Sequence, residues 1–262
     1  MTDGAERTGL PLRAFLPNAI TALALCFGLT GIRYGFSGEW EKALGSIIVA
    51  GVLDGLDGRI ARLLRAQSKF GAELDSLSDN IAFGTAPALI IFFWSLKEAP
   101  KFGWTVALAL AVCCALRLAR FNARIDMNDQ PHKSAGFNTG VPAPVGAGLA
   151  FVPFYLWLIS GSDWFRSWTL VMPWTLFVAL LMISSIPTFS WSSIRIRRGW
   201  RLFALAGVAL LGAALLNEPW WTLLAISALY LALLPFSFAS YGRVKQRRAS
   251  QAAPMPPPYT ST

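Results

Sequence analysis

Four aspartates stand out between residues 51 and 87 of the chain. They lie within or at the mouth of two apolar segments and are Asp54, Asp57, Asp75 and Asp79. A carboxylate in the middle of a bilayer costs about 3 kcal/mol or more, so an acid in such a segment indicates a functional site. Four negative charges in a low dielectric also require cations. Oxygen ligands with no His or Cys nearby predict Mg²⁺, Mn²⁺ or Ca²⁺ rather than zinc.

The spacing of the aspartates predicts two helices that present their carboxylates to each other. Asp54 and Asp57 are three residues apart, and Asp75 and Asp79 are four apart, so each pair lies on one helical face. A short connection around residues 66–70 lets these faces meet. Two carboxylate pairs suit two metal ions about 3.5–4 Å apart, an arrangement that binds phosphates in displacement reactions. Small residues beside the acids leave room for a ligand: Gly58, Ala61 and Gly71.

The rest of the chain has the composition of an integral membrane protein. Of its 262 residues, 55% are hydrophobic and 14% are charged, against about 25% charged in ordinary globular chains. The net charge is nevertheless +9. This composition excludes a secreted disulfide scaffold, a disordered chain and a conventional DNA-binding domain, and no nucleic-acid partner is expected. Cys26, Cys113 and Cys114 lie in apolar runs and are interpreted as packing residues.

Eight apolar runs are long enough to cross a bilayer as helices, which takes about 20 residues each. They predict an all-α fold, a polytopic transmembrane helix bundle of about eight spans with both termini cytoplasmic. Six or seven spans is the alternative, if a short run lies in the membrane interface. The runs cover residues 16–36, 42–65, 71–96, 103–124, 141–161, 168–190, 200–217 and 219–241.

The basic residues predict the orientation of these spans. With eight spans, only Arg33, Lys42, Lys97, Lys101 and Arg166 fall on one side, which leaves 18 of the 23 Lys and Arg for the other. The positive-inside rule makes the richer side cytoplasmic.

Along the chain, this predicts four parts. They are a polar tail at 1–14, helices at 15–160 that contain the four aspartates, further transmembrane helices at 161–242 and a basic, then Pro-rich, disordered tail at 243–262.

The motif that contains the aspartates resembles the signature of CDP-alcohol phosphotransferases. That signature is D-x-x-D-G-x-x-A-R, eight residues, then G-x-x-x-D-x-x-x-D, and the stretch from Asp54 to Asp79 has every defined position. Flanking pieces at 75–77, 83–87, 119–122 and 140–144 resemble the phosphatidylserine synthase branch of the family. The similarity covers roughly residues 15–150.

The resemblance implies that the phosphatidyl group of CDP-diacylglycerol passes to the hydroxyl of L-serine, with CMP leaving. It implies that Asp54, Asp57, Asp75 and Asp79 bind Mg²⁺ or Mn²⁺, as two ions, and that Asp79 is also the general base. It further implies a homodimer. The predicted orientation places the active site on the cytoplasmic side of the cytoplasmic (inner) membrane, with membrane lipid around the helices. The residues expected to bind the CDP-lipid are Asn18, Thr21, Gly58, Ala61, Arg62, Ser68 and Gly71.

Serine carries a carboxylate, for which basic residues on or after the fourth predicted helix are candidates. These are Arg117, which lies deepest, Arg120 and Lys133, with Asn122 as a neutral candidate. Two alternatives stay open. Another acceptor, such as choline, glycerol phosphate or inositol phosphate, would use the same chemistry, whereas a cation transporter would use the aspartates as a transport site.

Overall fold

The structure is a computed structural model that describes residues 12–125, 137–184, 187–189 and 201–234. These residues fall into two compact units. The first comprises the described residues up to 125 together with 141–183, and the second comprises the remaining described residues.

The first unit is helical. Its α-helices are α1 (Leu12–Phe36), α2 (Trp40–Leu63), α3 (Lys69–Asp79), α4 (Ala86–Trp94), α5 (Gly103–Ile125), α6 (Ala143–Ala150), α7 (Val152–Ser160) and α8 (Trp168–Ile183). A π-helical segment, Asn80–Thr85, joins α3 to α4 without a break. Short 3₁₀ turns occupy Leu96–Glu98 and Asp163–Arg166.

The second unit contains helices α9 (Arg201–Asn217) and α10 (Pro219–Leu234). It also contains two three-residue strands, β1 (Phe137–Thr139) and β2 (Pro187–Phe189), which pair antiparallel. The prediction of a helical fold is confirmed, because these two strands are the only regular non-helical elements in the part of the chain that the structure describes.

Three helical stretches are long and apolar enough to cross a membrane: Phe15–Phe36, Lys69–Trp94 and Gly103–Ala123. A fourth is added if α6 and α7, bent by 41°, form one broken span. Helix α2 is also long but carries six charged residues, and α8, α9 and α10 are shorter apolar helices. The apolar helices are those of a membrane protein, while eight spans and the orientation of the termini stay predictions.

Small residues let α1 lie close against the helix that runs from α3 to α4. A Cβ on Gly28 would be 2.9 Å from Ala82 Cα, and one on Gly35 would be 3.1 Å from Ile90 Cγ1. On the opposite flank, a Cβ on Gly84 would be 2.9 Å from the Cβ of Cys114 in α5. The helix that carries Asp75 and Asp79 is therefore held between α1 and α5.

The bend between α6 and α7 has a specific cause. Pro153 has no N–H to give to the carbonyl of Leu149, four residues earlier. The indole Nε1 of Trp174 in α8 donates to that carbonyl instead, at 2.8 Å. Below the bend, Phe154 is buried and stacks on Trp94, with 4.1 Å between the ring centroids.

Three of the basic residues assigned to the poorer side lie at the end of the first unit where α1 passes to α2. Arg33 and Lys42 lie 6.0 and 5.7 Å from the ring centroid of Tyr34. Arg166 lies 6.0 Å from the ring of Trp40 and donates from Nε to the carbonyl of Trp94. The connection from α2 to α3, which is next to the aspartates, lies at the opposite end of α2.

Candidate active site

The second half of α2 and the middle of α3 bring three aspartates together. One carboxylate oxygen from each of Asp54, Asp57 and Asp75 lies within 4.8 Å of the others. Asp57 is buried, with 4% of its surface exposed, and the other two are half-buried. This cluster follows from the i, i+3 spacing on α2 and from a connection short enough to fold α3 back beside it.

The fourth aspartate lies one turn further along α3. The carboxyl group of Asp79 hydrogen-bonds to that of Asp54, and Arg117 in α5 is close enough for its charge to act on Asp79. Two carboxyl groups at this distance require a shared proton or a cation. The structure thus brings together all four aspartates that the sequence singled out, with one arginine beside them.

A second set of contacts fixes Asp57 from α1. The hydroxyl of Thr21 donates to Asp57 Oδ2 at 2.6 Å, and Thr21 is itself 4% exposed. The hydroxyl of Ser78 in α3 donates to the backbone carbonyl of Thr21 at 3.2 Å. Sequence reasoning placed Thr21 in the site but missed Ser78, since a serine in a helix gives no signal of its partner.

A cavity of about 270 Å³ lies beside the aspartate cluster. Six of the seven residues predicted to bind the CDP-lipid line it, namely Asn18, Thr21, Gly58, Ala61, Ser68 and Gly71. Asp57 and Asp75 form its acidic wall. Arg62 does not line the cavity, because its side chain is exposed and donates from Nε to the carbonyl of Gly58 at 3.0 Å.

The cavity also has lining residues that were not predicted as ligands: Pro17, Ala66, Gln67 and Ala72. Three of them are apolar and carry no chemical signal in the sequence. Gln67 lies in the connection between α2 and α3, and only the folding back of α3 shows that its side chain borders the cavity.

The start of α3 forms one wall of this cavity. Ser68 is the N-cap of α3 and its hydroxyl accepts a hydrogen bond from the backbone N–H of Gly71 at 3.0 Å. Gly71 has no side chain, and a Cβ there would meet Asn18 Oδ1 at 2.8 Å. Gly71 therefore permits the close approach of Asn18 from α1.

The residues predicted to bind serine have different partners in the structure. Arg117 lies beside Asp79. Arg120 donates to the carbonyl of Ile183 at the end of α8, at 2.9 Å, and Asn122 donates from Nδ2 to Ser76 Oγ in α3, at 2.9 Å. Lys133 lies outside the described residues. Of this set, only Arg117 is placed next to the aspartates by a described contact.

The ligand set of the cluster fits a divalent metal ion. Its possible ligand atoms are carboxylate oxygens from three aspartates, with neither His nor Cys among them. Hard oxygen ligands of this kind suit Mg²⁺, Mn²⁺ or Ca²⁺.

Comparison with protein families gives a match over the part of the chain that contains the cluster and the cavity. The model for CDP-alcohol phosphatidyltransferase matches residues 14–183, which is more than half of the chain. This chain belongs to the CDP-alcohol phosphatidyltransferase family. It is therefore an enzyme, a phosphotransferase that acts on CDP-alcohols. A second model, CDP-alcohol phosphatidyltransferase 2, matches residues 199–235 of this family member.

Similar curated proteins carry one name, CDP-diacylglycerol–serine O-phosphatidyltransferase. The protein from Mycobacterium tuberculosis is 36% identical in an alignment of 258 positions that covers 94% of this chain and 90% of the relative. The protein from Mycobacterium leprae is 37% identical, over 85% of this chain and 74% of the relative. The protein from Helicobacter pylori is 40% identical over shorter stretches, 53% of this chain and 56% of the relative.

Proposed function

We propose that this enzyme transfers the phosphatidyl group of CDP-diacylglycerol to the hydroxyl of L-serine, giving phosphatidylserine and CMP. The observation that carries the reaction type is the cluster of Asp54, Asp57 and Asp75 beside a cavity formed by the family signature. The choice of serine rests on the names of relatives that align over nearly the whole chain.

The cavity is the proposed site for the CDP group. Asn18, Thr21 and Ser68 offer polar side chains around it. Gly58, Ala61 and Gly71 have small or no side chains, which leaves the cavity open. Arg62 follows the lining residue Ala61 in the chain and is exposed, and we propose that its guanidinium binds phosphate by paired hydrogen bonds.

The proposed ligands of the metal are Asp54, Asp57, Asp75 and Asp79, for Mg²⁺ or Mn²⁺ as two ions. When bound, divalent ions neutralise the pyrophosphate and make its phosphorus more electrophilic. Asp57 also accepts a hydrogen bond from the hydroxyl of Thr21, which joins α2 to α1.

Asp79 is the proposed general base. A serine hydroxyl is a weak nucleophile, and a carboxylate within reach of its proton assists attack. Asp79 takes the proton from serine Oγ as this oxygen bonds to the phosphorus of the phosphatidyl group. The bond from that phosphorus to the bridging oxygen breaks, and its electron pair leaves with CMP.

Arg117 is the proposed partner of the serine carboxylate. It lies beside Asp79, so an amino acid bound to it would place its hydroxyl close to the base. Arg120, Asn122 and Lys133 remain candidates, although Arg120 and Asn122 also make contacts that hold α5 to its neighbours.

The enzyme is proposed to lie in the cytoplasmic membrane with eight spans, both termini and the active site on the cytoplasmic side. The grouping of Arg33, Lys42 and Arg166 at the end of the first unit opposite the active site supports this orientation. The homodimer implied by the family, the contact with membrane lipid, and the division into catalytic helices at 15–160 and further helices at 161–242 remain predictions.

CMP release by the purified enzyme tests the proposed reaction. With CDP-diacylglycerol present, CMP should appear only when serine and Mg²⁺ or Mn²⁺ are both added. Choline, glycerol phosphate and inositol phosphate are tested in parallel as acceptors. Release with one of these and not with serine would overturn the choice of acceptor, and no release with any alcohol would overturn the transferase activity.

A further inference from the structure

We infer that Ser78, which occupies an undefined position of the family signature, is a positioning residue for the metal site. Its hydroxyl ties α3 to α1 at Thr21, the residue whose own hydroxyl holds Asp57. The inference rests on the proposed function, because it assigns a role to Ser78 in the arrangement of the proposed metal ligands.

The contacts form a short chain through three helices. Ser78 Oγ donates to the Thr21 carbonyl at 3.2 Å, and Thr21 Oγ1 donates to Asp57 Oδ2 at 2.6 Å. All three residues are buried, with 3% of Ser78 and 4% of each of the others exposed. Shielding from solvent means that water cannot replace these hydrogen bonds without a rearrangement of the helices.

The backbones of α1 and α3 lie close enough for this bond because of the residues along their contact. Thr21, Gly28 and Gly35 are spaced by seven residues, so they lie on nearly the same face of α1. Gly28 packs on Ala82 and Gly35 on Ile90, which brings α1 against the continuous helix from α3 to α4. Between helices of a membrane protein, small residues and serine hydroxyls commonly provide such contacts.

The position of Ser78 links this contact to the aspartates. It follows Asp75 by three residues and precedes Asp79 by one, so the depth and rotation of α3 at Ser78 determine where both carboxylates lie. Ser78 does not line the cavity and is not placed against substrate. The carbonyl of Thr21 belongs to a regular stretch of α1, so it keeps its helical hydrogen bond when the serine hydroxyl is removed. The loss should therefore alter the metal ligands more than the fold.

Binding of Mn²⁺ to the purified full chain in detergent, without either substrate, tests this inference. Electron paramagnetic resonance distinguishes free Mn²⁺ from bound Mn²⁺ by their signals. Ser78→Ala should weaken Mn²⁺ binding about tenfold, the lower end of what the loss of a residue behind a metal ligand costs. Ser78→Thr, which keeps a hydroxyl, should restore most of the affinity.

Ser46→Ala is the matched control. Ser46 is also a buried serine with a helix-carbonyl partner, but it donates to Lys42 within its own helix, away from the aspartates. Its loss should leave Mn²⁺ affinity unchanged. If Ser78→Ala does not give folded protein, Ser78→Cys is measured in its place. A cysteine fills a similar space but its S–H is a weak donor, so this variant should also bind Mn²⁺ more weakly.

The outcomes separate the inference from the proposed function. If the wild-type chain binds Mn²⁺ and the Ser78 variants bind it equally well, the inference is wrong and the proposed metal site stands. If Ser46→Ala loses as much affinity as Ser78→Ala, the effect is general destabilisation and the inference is also wrong. If the wild-type chain binds no Mn²⁺, the proposed metal site itself is overturned.

Discussion

At the scale of single residues, the most informative feature is that two carboxyl groups in direct contact have different proposed tasks. Asp54 belongs to the cluster with Asp57 and Asp75. Asp79 hydrogen-bonds to Asp54 and also interacts electrostatically with Arg117. This position, at the edge of the cluster and beside a cation that could hold serine, favours Asp79 as the base.

We expect Asp79→Asn to lower turnover by about a hundredfold or more, because an amide cannot accept the serine proton. Binding of CDP-diacylglycerol in the presence of Mn²⁺ should be largely retained, since Asp54, Asp57 and Asp75 remain. CMP release and equilibrium binding of the CDP-lipid measure the two effects separately. Glu73→Gln is the control, because Glu73 is an exposed acid on the same helix. Normal turnover in Asp79→Asn would show that the base is another group.

Two glycines of α2 test whether the cavity holds the CDP group. A Cβ on Gly55 or on Gly58 would have no protein atom within 4 Å, and both residues are exposed. Only Gly58 lines the cavity. We expect Gly58→Ala to raise the KM for CDP-diacylglycerol about tenfold, as an added methyl group does in a fitted site, with little effect on thermal stability.

Gly55→Ala is the matched control and should leave this KM unchanged. Both substitutions replace a helical glycine by alanine, so their effects on helix stability are equal in sign and similar in size. An equal rise in KM for both variants would contradict the assignment of the cavity to the CDP group.

Much of the site could be predicted from the sequence because charge is rare in this chain. Acids in apolar segments stand out, and their spacing alone placed Asp54 beside Asp57 and Asp75 near Asp79. The contacts of Ser78 and Asn122 could not be predicted, since their partners lie 57 and 46 residues away and depend on how the helices pack. Arg120 illustrates the same limit, because its partner is the end of a helix 63 residues later.

At the scale of elements, the positions of the helices were predictable and their interruptions were not. Long apolar runs predicted α1, α5 and the stretch from α3 to α4. The π-helical segment at Asn80–Thr85 could not be predicted, because it has no sequence pattern that distinguishes it from the rest of an apolar run. Segments of this kind often occur next to functional sites. The pairing of β1 with β2 joins residues about 50 positions apart, and hydropathy does not report it.

The broken span α6–α7 leads to a prediction about stability. Trp174 supplies the hydrogen bond that Pro153 cannot give to Leu149, in a partly buried place. Trp174→Phe should lower the free energy of unfolding by about 1 kcal/mol through loss of this bond, or Tm by about 2–4 °C in detergent. Trp221→Phe is the control, since Trp221 is 57% exposed. An unchanged Tm for Trp174→Phe would mean that water or lipid satisfies the carbonyl equally well.

At the scale of the whole molecule, the remaining question is how the chain crosses the membrane. Length and composition identify three or four spans, and α2 is not among them. Yet α2 contacts the span α1 through Asp57 and Thr21, and it carries two of the four aspartates of the site. A helix with charged residues crosses a bilayer only when those far from its ends are shielded by protein. In α2, Glu41, Lys42, Arg59 and Arg62 are exposed but lie near its two ends, whereas Asp54 and Asp57 are half-buried and buried. We therefore expect α2 to be a further span, which a count by apolarity alone leaves out.

The eight-span arrangement predicts the side of each connection. Alkaline phosphatase fused after Lys101 should be active, because the segment with Lys97 and Lys101 is assigned to the external side. Green fluorescent protein fused after Thr262 should fluoresce, because the C-terminus is assigned to the cytoplasm. A fusion at Gln67, beside the cavity, should give the cytoplasmic result. An active phosphatase after Thr262 would place the C-terminus on the external side and contradict the predicted orientation. An active phosphatase at Gln67 would place the site on the external side and contradict the assignment of the active site to the cytoplasmic side.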